Sequence, residues 1–372
     1  MIKRHAADVK MNVKMRCKKF LSFDYPQTAQ QRLLDLAGYV SADVAMDRPG
    51  RGELFEKLEH RLIELLGKEA VIFMPSGRMA QMIALKLWCD RRGIPRIAVH
   101  PRSHIEQREQ KVYQEIYNLK ATWIGDYDRC NGLSDLLAMA EPVGAISLEV
   151  PLRPLGCVVP PWEELKAMSE WARSREIPFH ADAARLWEIG PYYERTYAEI
   201  AALFDTLYVS FYKGLGGIAG SALAGPADLI NEAVYFQRRL GGRLNKQFPM
   251  LIDALRGLET RLPLMPAFHD KATQLAAAFA ALPGVLVTPN PPHANAMLIA
   301  LQGEHDDLVD ASIEVAEQTG LWLFDLPVIS PIQGLAMFEI TIREAALDVS
   351  VEEAVQAISL LRDLLAARRR DS

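Results

Sequence analysis

Short apolar, β-rich runs recur along the middle of this chain, and helical segments separate most of them. AVIFM (70–74), RIAVHP (96–101), ATWIGD (121–126), AISLEV (145–150), IPFHAD (177–182) and TLYVSF (206–211) all read as strands. Between them, ELFEKLEHRLIELLGKE carries Leu58, Leu62 and Leu65 on one helical stripe, and RMAQMIALKLWCDRRG reads as a helix ended by Gly93. IEQREQKVYQEIYNL and PWEELKAMSEWARSREI are further helix-prone stretches. Strands alternating with helices predict βαβ units around a mainly parallel sheet, an α/β fold. Residues 230–258 read as helical with a polar break, GGRLNKQFP. After Arg261 the pattern changes. An Ala/Leu-rich helix (271–281) precedes strand-like VLVTP, AMLIAL, LWLFDL and MFEITI, and an amphipathic helix closes the chain. A second, smaller α+β domain is expected there, since 372 residues exceed the roughly 250–300 over which one core grows. The expected division is an N-terminal segment over 1–40, a large domain over 41–260 and a small domain over 261–372.

Composition narrows the classes of function. The net charge is −5 with both signs mixed, which argues against a nucleic-acid role. MIKRHAADVKMNVKMRCKKF is basic and lacks the apolar core of a secretory signal, so it reads as a solvated or packing arm. No apolar run approaches the roughly 18–20 residues of a membrane span. Cys17, Cys89, Cys130 and Cys157 are scattered and form no metal-ligand pair. Free thiols and a cytoplasmic location are expected, with no metal.

Two of the strand-like runs end on chemistry. FHADAARLWE places Asp182 at the end of one, with Arg185 three residues on. TLYVSFYKGLGGIAGSALAG ends the other on Lys213 and opens into a glycine-rich turn. A lysine delivered by a strand into such a turn suits covalent attachment of pyridoxal 5'-phosphate, and a carboxylate on a neighbouring strand end suits its pyridine nitrogen. Each residue also has a plainer reading: Lys213 as a structural strand-end lysine, Asp182 as a helix cap, Arg185 as a surface ion pair. Ser76, Gly77 and Arg78 form a turn between a strand and a helix, where backbone N–H groups favour an anion such as the cofactor phosphate.

LLGKEAVIFMPSGRMAQ, SHIEQRE, AISLEV, FHADAARLWE, FYKGLGGIAGSALAGPADLI and RRLGG follow one another across residues 40–260. In this order they resemble the threonine aldolase / aromatic amino acid β-eliminating lyase family of pyridoxal-phosphate enzymes. The resemblance implies the aspartate-aminotransferase-like fold type I, a homodimer or homotetramer, and an amino acid as substrate. It makes Lys213 the cofactor-bearing lysine and Asp182 the partner of the pyridine nitrogen. His104 takes the place of the histidine that stacks on the ring, with Glu106 close by in sequence. Arg185 becomes a contact for phosphate or the substrate carboxylate. His180, first residue of the family's HxDxxR pattern, reads as a cofactor contact or a buried histidine. Arg343, in EITIRE, is the candidate for gripping the α-carboxylate.

Most departures from the family fall on the substrate side. Arg78 stands where the family carries threonine. The family's tyrosine-containing DVYGEDPT-like segment is replaced by DVAMDRPGRGEL. Where the family reads ENTHN, this chain reads Glu149-Val150-Pro151-Leu152-Arg153. Leu152 replaces the histidine that helps handle the substrate hydroxyl, and Arg153 replaces the asparagine and is expected to bind a different substrate group. The expected activity is retro-aldol cleavage of a β-hydroxy amino acid to glycine and an aldehyde. Two other readings stay open: β-elimination or other Cα chemistry on a different amino acid, and a catalytically weak cofactor-binding homologue.

Overall fold

The computed structural model describes residues 10–325 and 327–371, in two compact units. One comprises residues 29–263. The other gathers the described residues up to Thr28 with those from Leu264 onward.

The large unit is built on a seven-stranded sheet: β1 (Ala70–Met74), β2 (Arg96–Val99), β3 (Lys120–Trp123), β4 (Ala145–Glu149), β5 (Phe179–Asp182), β6 (Thr206–Ser210) and β7 (Ser221–Gly225). Their spatial order is β1-β7-β6-β5-β4-β2-β3. β6, β5, β4, β2 and β3 run parallel, while β7 is antiparallel to both β1 and β6. β4 to β7 are buried along their whole length, as expected of strands covered by helices on both faces. That is why β4, β5 and β6 read as largely apolar runs.

Three sequence expectations need correction. SALAG (221–225), for which the sequence pattern predicts no strand, is a strand inside the sheet. Its small residues carry little β signal, but they fit: a Cβ on Gly225 would lie 2.5 Å from Thr206 Cγ2. The stretch after His104 is not one helix. It forms two short helical turns, His104–Gln107 and Val112–Glu115, parted by Gln110 and Lys111 at φ 53°. LWLFDL contributes only a two-residue strand, Leu321–Trp322.

Helix Gly77–Arg92 follows β1. Ser76 caps it by accepting from Met79 N at 3.3 Å, and Gly93 ends it in the left-handed conformation. Its inner face, with Ala80, Ile83, Ala84 and Leu87, packs on Ile72, Tyr208 and Leu223 of the sheet. The break expected around GGRLNKQFP separates helices Ala227–Arg239 and Phe248–Thr260.

The other unit carries a four-stranded antiparallel sheet in the order Pro327–Val328, Leu335–Thr341, Ala296–Gln302, Val285–Thr288. Helices Met265–Ala280, His305–Thr319 and Val351–Asp371 accompany it. The N-terminal segment is built into this unit. Lys19–Phe20 pairs in parallel with Leu321–Trp322, and Val13 and Phe20 are buried with Ala316, Trp322 and Ala345. Its basic side chains meet acids: Lys14 with Asp325 at 2.6 Å, Lys19 with Glu353 at 2.5 Å, Arg16 with Glu317 at 3.2 Å. Among the described residues no helix is long and apolar enough to cross a membrane. Nor, among them, is any group of three or more His, Cys, Asp or Glu placed to hold a metal ion.

Candidate active site

In a sheet of this kind, ligands bind outside the carboxyl ends of the parallel strands. β4 ends on Glu149 and β5 on Asp182, and the two are register partners. β6 delivers the chain to Lys213, and the turn after β2 delivers His104. A cleft at these strand ends is lined by His104, Glu149, Arg153, Asp182, Arg185 and Lys213, among others.

Asp182 is only 4% exposed. Its carboxylate accepts from the Tyr208 hydroxyl and from Ala184 N, the latter at 3.3 Å. Burial pushes the Asp182 carboxyl above its ordinary value, while Tyr208 and His104 oppose that rise. Lys213 is shifted the other way. Burial first, then the Arg185 and Arg153 guanidiniums, lowers its ammonium to about 8. Its Nζ lies 5.2 Å from the centre of the Tyr212 ring.

The turn after Lys213 needs its glycines. A Cβ on Gly214 would meet the Glu188 carboxyl carbon at 2.8 Å, and Gly216, at φ +66°, lies against the Arg261 guanidinium. Gly214 N donates to Glu188 Oε1 at 2.8 Å, and the same oxygen lies 3.8 Å from Arg185 Nη1. Asp253, buried beneath, accepts from Ile218 N at 2.8 Å and from Arg32 Nη2 at 2.6 Å. The helix carrying Arg185 is tied to β6 by Trp187 Nε1 donating to Ser210 O and Ser210 Oγ donating to Ala184 O.

A model of the beta-eliminating lyase family matches residues 40–303. The chain belongs to the beta-eliminating lyase family. Its fold is similar to that of a Listeria monocytogenes EGD-E protein named as a "putative L-allo-threonine aldolase". The two share 31% identity and a TM-score of 0.90 over 97% of this chain and 99% of that one. A "putative aromatic amino acid beta-eliminating lyase/threonine aldolase" from Exiguobacterium sp. 255-15 is similar at 34% identity and TM-score 0.90, covering 96% and 99%. The low-specificity L-threonine aldolase of Candida albicans is 25% identical over 67% of this chain and 68% of its own. Two other curated relatives, from Caenorhabditis elegans and Schizosaccharomyces pombe, are matched over 58% and 60% of their own length.

Within this beta-eliminating lyase family fold, not every expected residue meets the cleft. Ser76, Gly77 and Arg78 are not among its lining residues, but Gly77 backs directly onto Tyr208, which is. A Cβ at Gly77 would sit 2.6 Å from the tyrosine ring. Arg78 is half-exposed, with Nε 3.6 Å from Glu109 Oε2. Glu106 does not line the cleft. Its carboxylate accepts from the Tyr113 hydroxyl at 2.6 Å and lies 3.8 Å from Lys111 Nζ. Glu109 is the carboxylate at His104, its Oε1 3.0 Å from Nδ1. His180 is fully buried and absent from the lining. Trp88 Nε1 and His180 Nδ1 both lie 2.9 Å from Thr206 Oγ1. The indole donates to that oxygen, and burial holds the His180 imidazole neutral with a pKa of about 3. Arg343 belongs to the small unit, where it pairs with Asp24 at 2.8 Å.

The departures are also built in. Leu152 is 2% exposed and bridges Val158, so position 152 offers the cleft no polar group. Arg153 does line the cleft, and its N–H donates to Glu149 Oε1 at 3.2 Å. The other Glu149 oxygen accepts from His104 N at 2.5 Å. Burial, then the Asp182 charge, raises Glu149 to about 7. Glu149, Tyr208 and Tyr212 line the cleft and escaped sequence reasoning, as did Glu109 beside His104. Glu149 had a usable signal: it ends its strand as Asp182 ends the next.

Proposed function

We propose that this chain binds pyridoxal 5'-phosphate through Lys213 and acts as a lyase on an amino acid carrying a β-substituent. The most direct form of that activity is threonine aldolase-like cleavage of a β-hydroxy amino acid to glycine and an aldehyde. The observation that carries the proposal is the pairing, in one cleft, of a lysine lowered to about 8 with a buried strand-end carboxylate. A lysine so shifted can attack as an amine near neutral pH. The chemistry of the surrounding groups fits the cofactor. Asp182 would hold the pyridine nitrogen protonated, and Tyr208 and Ala184 N already orient its carboxylate. His104 would cover the ring face. Backbone N–H groups at the start of helix Gly77–Arg92, with Ser76 and Arg78, would face the phosphate. Arg185 would take the substrate carboxylate, where a planar guanidinium binds two oxygens at once. When bound, the cofactor supplies an electron sink for the bond broken at Cα.

A homo-oligomer of at least two subunits completes the proposal on the strength of the family resemblance, and a cytoplasmic location on the four free cysteines. A second reading, β-elimination or another Cα reaction, is favoured by Leu152 and Arg153, which remove a proton-handling side chain and add a cation. The test is a panel of amino acids, with glycine, aldehyde and pyruvate each measured. Aldehyde and glycine from threonine, allo-threonine or phenylserine support the aldolase reading. Pyruvate or another keto acid in their place supports the second, and no product from a cofactor-loaded protein contradicts both.

A further inference from the structure

One lining residue of the cleft, His104, is paired with a buried carboxylate, Glu109, that neither the motifs nor the comparisons assign. We propose that Glu109 is a positioning residue: it holds the His104 imidazole with its proton on Nδ1, so that Nε2 accepts the β-hydroxyl proton of the substrate. The proposal deepens the aldolase reading and rests on it.

The loop is built to make this pair. Glu109 lies five positions after His104, beyond one helical turn. The helical turn ends at Gln107 and the chain leaves it at Arg108 (φ −122°), and the loop is fastened by Ser103 Oγ to His100 O and Gln107 Nε2 to Pro101 O, both at 2.7 Å. Glu109 is 3% exposed. An ionised carboxylate at such depth is costly unless it is paired and hydrogen-bonded, and its partners are the His104 ring at 3.0 Å and Arg78 at 3.6 Å. Glu106, the other acid of the loop, is taken up by Tyr113.

We assign the proton to His104, the lining residue whose ring a buried carboxylate orients. Leu152 has no titratable group. Both Glu149 oxygens accept backbone N–H groups. Asp182 is held by Tyr208 and Ala184. Lys213 is assigned to the cofactor. Burial raises the Tyr208 and Tyr212 phenols above their ordinary value, away from the range of a neutral-pH base. The groups that face His104 are Glu109 from its own loop, Asp182 from the end of β5 and Glu149 from the end of β4. The Glu109 hydrogen bond is the leading cause that raises the imidazole pKa, burial opposes it, and the Asp182 and Glu149 charges add to the rise. In the step itself the β O–H bond breaks and its electrons become the second C–O bond of the departing aldehyde. The Cα–Cβ pair remains with Cα, and the proton passes to His104 Nε2. Its later delivery to Cα gives glycine and restores the neutral ring.

The test has one arm without cofactor and one with it. In the apo-protein, labelled histidine is titrated by NMR, the His104 signal being identified by its loss in His104→Asn. His104 should titrate above the ordinary ~6.5, and Glu109→Gln should lower it by about one pH unit or more. Glu109→Asp should restore part of the difference, with folding of each variant checked by circular dichroism. In the holoenzyme, the acidic limb of kcat/KM for a β-hydroxy amino acid should move to lower pH in Glu109→Gln, and His104→Asn should lose about 10²–10⁴-fold. A folded Glu109→Gln protein with an unchanged His104 titration overturns the pairing. An unchanged acidic limb overturns the proton role. A protein that takes up no cofactor would instead refute the lyase reading, while the apo titration still decides the pairing.

Discussion

Asp182 and Tyr208 are register partners on adjacent parallel strands, and the hydroxyl of one donates to the carboxylate of the other. The tyrosine ring also fills the space beneath Gly77. One side chain thus connects the strand-end carboxylate to the helix start proposed for the phosphate. A hydrogen bond to a charged group contributes about 1.5–3 kcal/mol. Tyr208→Phe should leave the cofactor bound but push the Asp182 carboxyl further up, lowering kcat by about 10–100-fold. Steady-state kinetics with the cofactor content measured in parallel checks this, and a wild-type kcat would show that the hydroxyl does not support Asp182.

The lysine makes a pH prediction whose sign follows from its neighbours. Burial, Arg185 and Arg153 disfavour the ammonium and lower it to about 8. The amine is the reactive form, so cofactor capture by the apo-protein should accelerate as pH rises and level off above about 8. An ordinary lysine would keep gaining to about 10.4. Replacing Arg185 with leucine removes a repelling cation, raises the Lys213 pKa and moves the curve to higher pH. Stopped-flow absorbance measures both curves, and coincident curves would remove Arg185 from the account.

The strand ends were readable from the sequence because each of them closes an apolar run. Asp182 and Lys213 could be placed for that reason, and so could the alternation that gives the parallel sheet. What stayed hidden depends on where the chain leaves a helix and on distant contacts. Glu109 reaches His104 because the helical turn stops at Gln107 and Arg108, at φ −122°, leaves it, which a helix-like run such as IEQREQKVYQEIY conceals. Glu106, nearer in sequence, is drawn to Tyr113 instead. SALAG hid as a strand because alanine, serine and glycine carry weak β preference, and only the close approach of β6 explains their size. The basic N-terminal residues pair with Asp325, Glu317 and Glu353, contacts more than three hundred positions away that no local pattern reports.

Asp253 should matter for the lysine turn without touching the cleft. It is 1% exposed and joins Arg32, Arg256 and Ile218 N, while Arg32 also donates to Gly216 O. Asp253→Ala leaves two guanidiniums without their shared buried acceptor, a loss of about 3–5 kcal/mol. Thermal unfolding should fall accordingly, and the retained folded fraction should bind cofactor more weakly. Unchanged stability would mean that the turn holds itself.

The most direct measurement is borohydride reduction of the purified protein in the presence of pyridoxal 5'-phosphate, followed by peptide mass analysis. Before reduction the protein should absorb in the near-ultraviolet to violet region. After reduction the cofactor should be fixed on the peptide containing Lys213 and be missing from Lys213→Ala. A protein that stays colourless after reconstitution, or a cofactor fixed on a different lysine, would contradict the account.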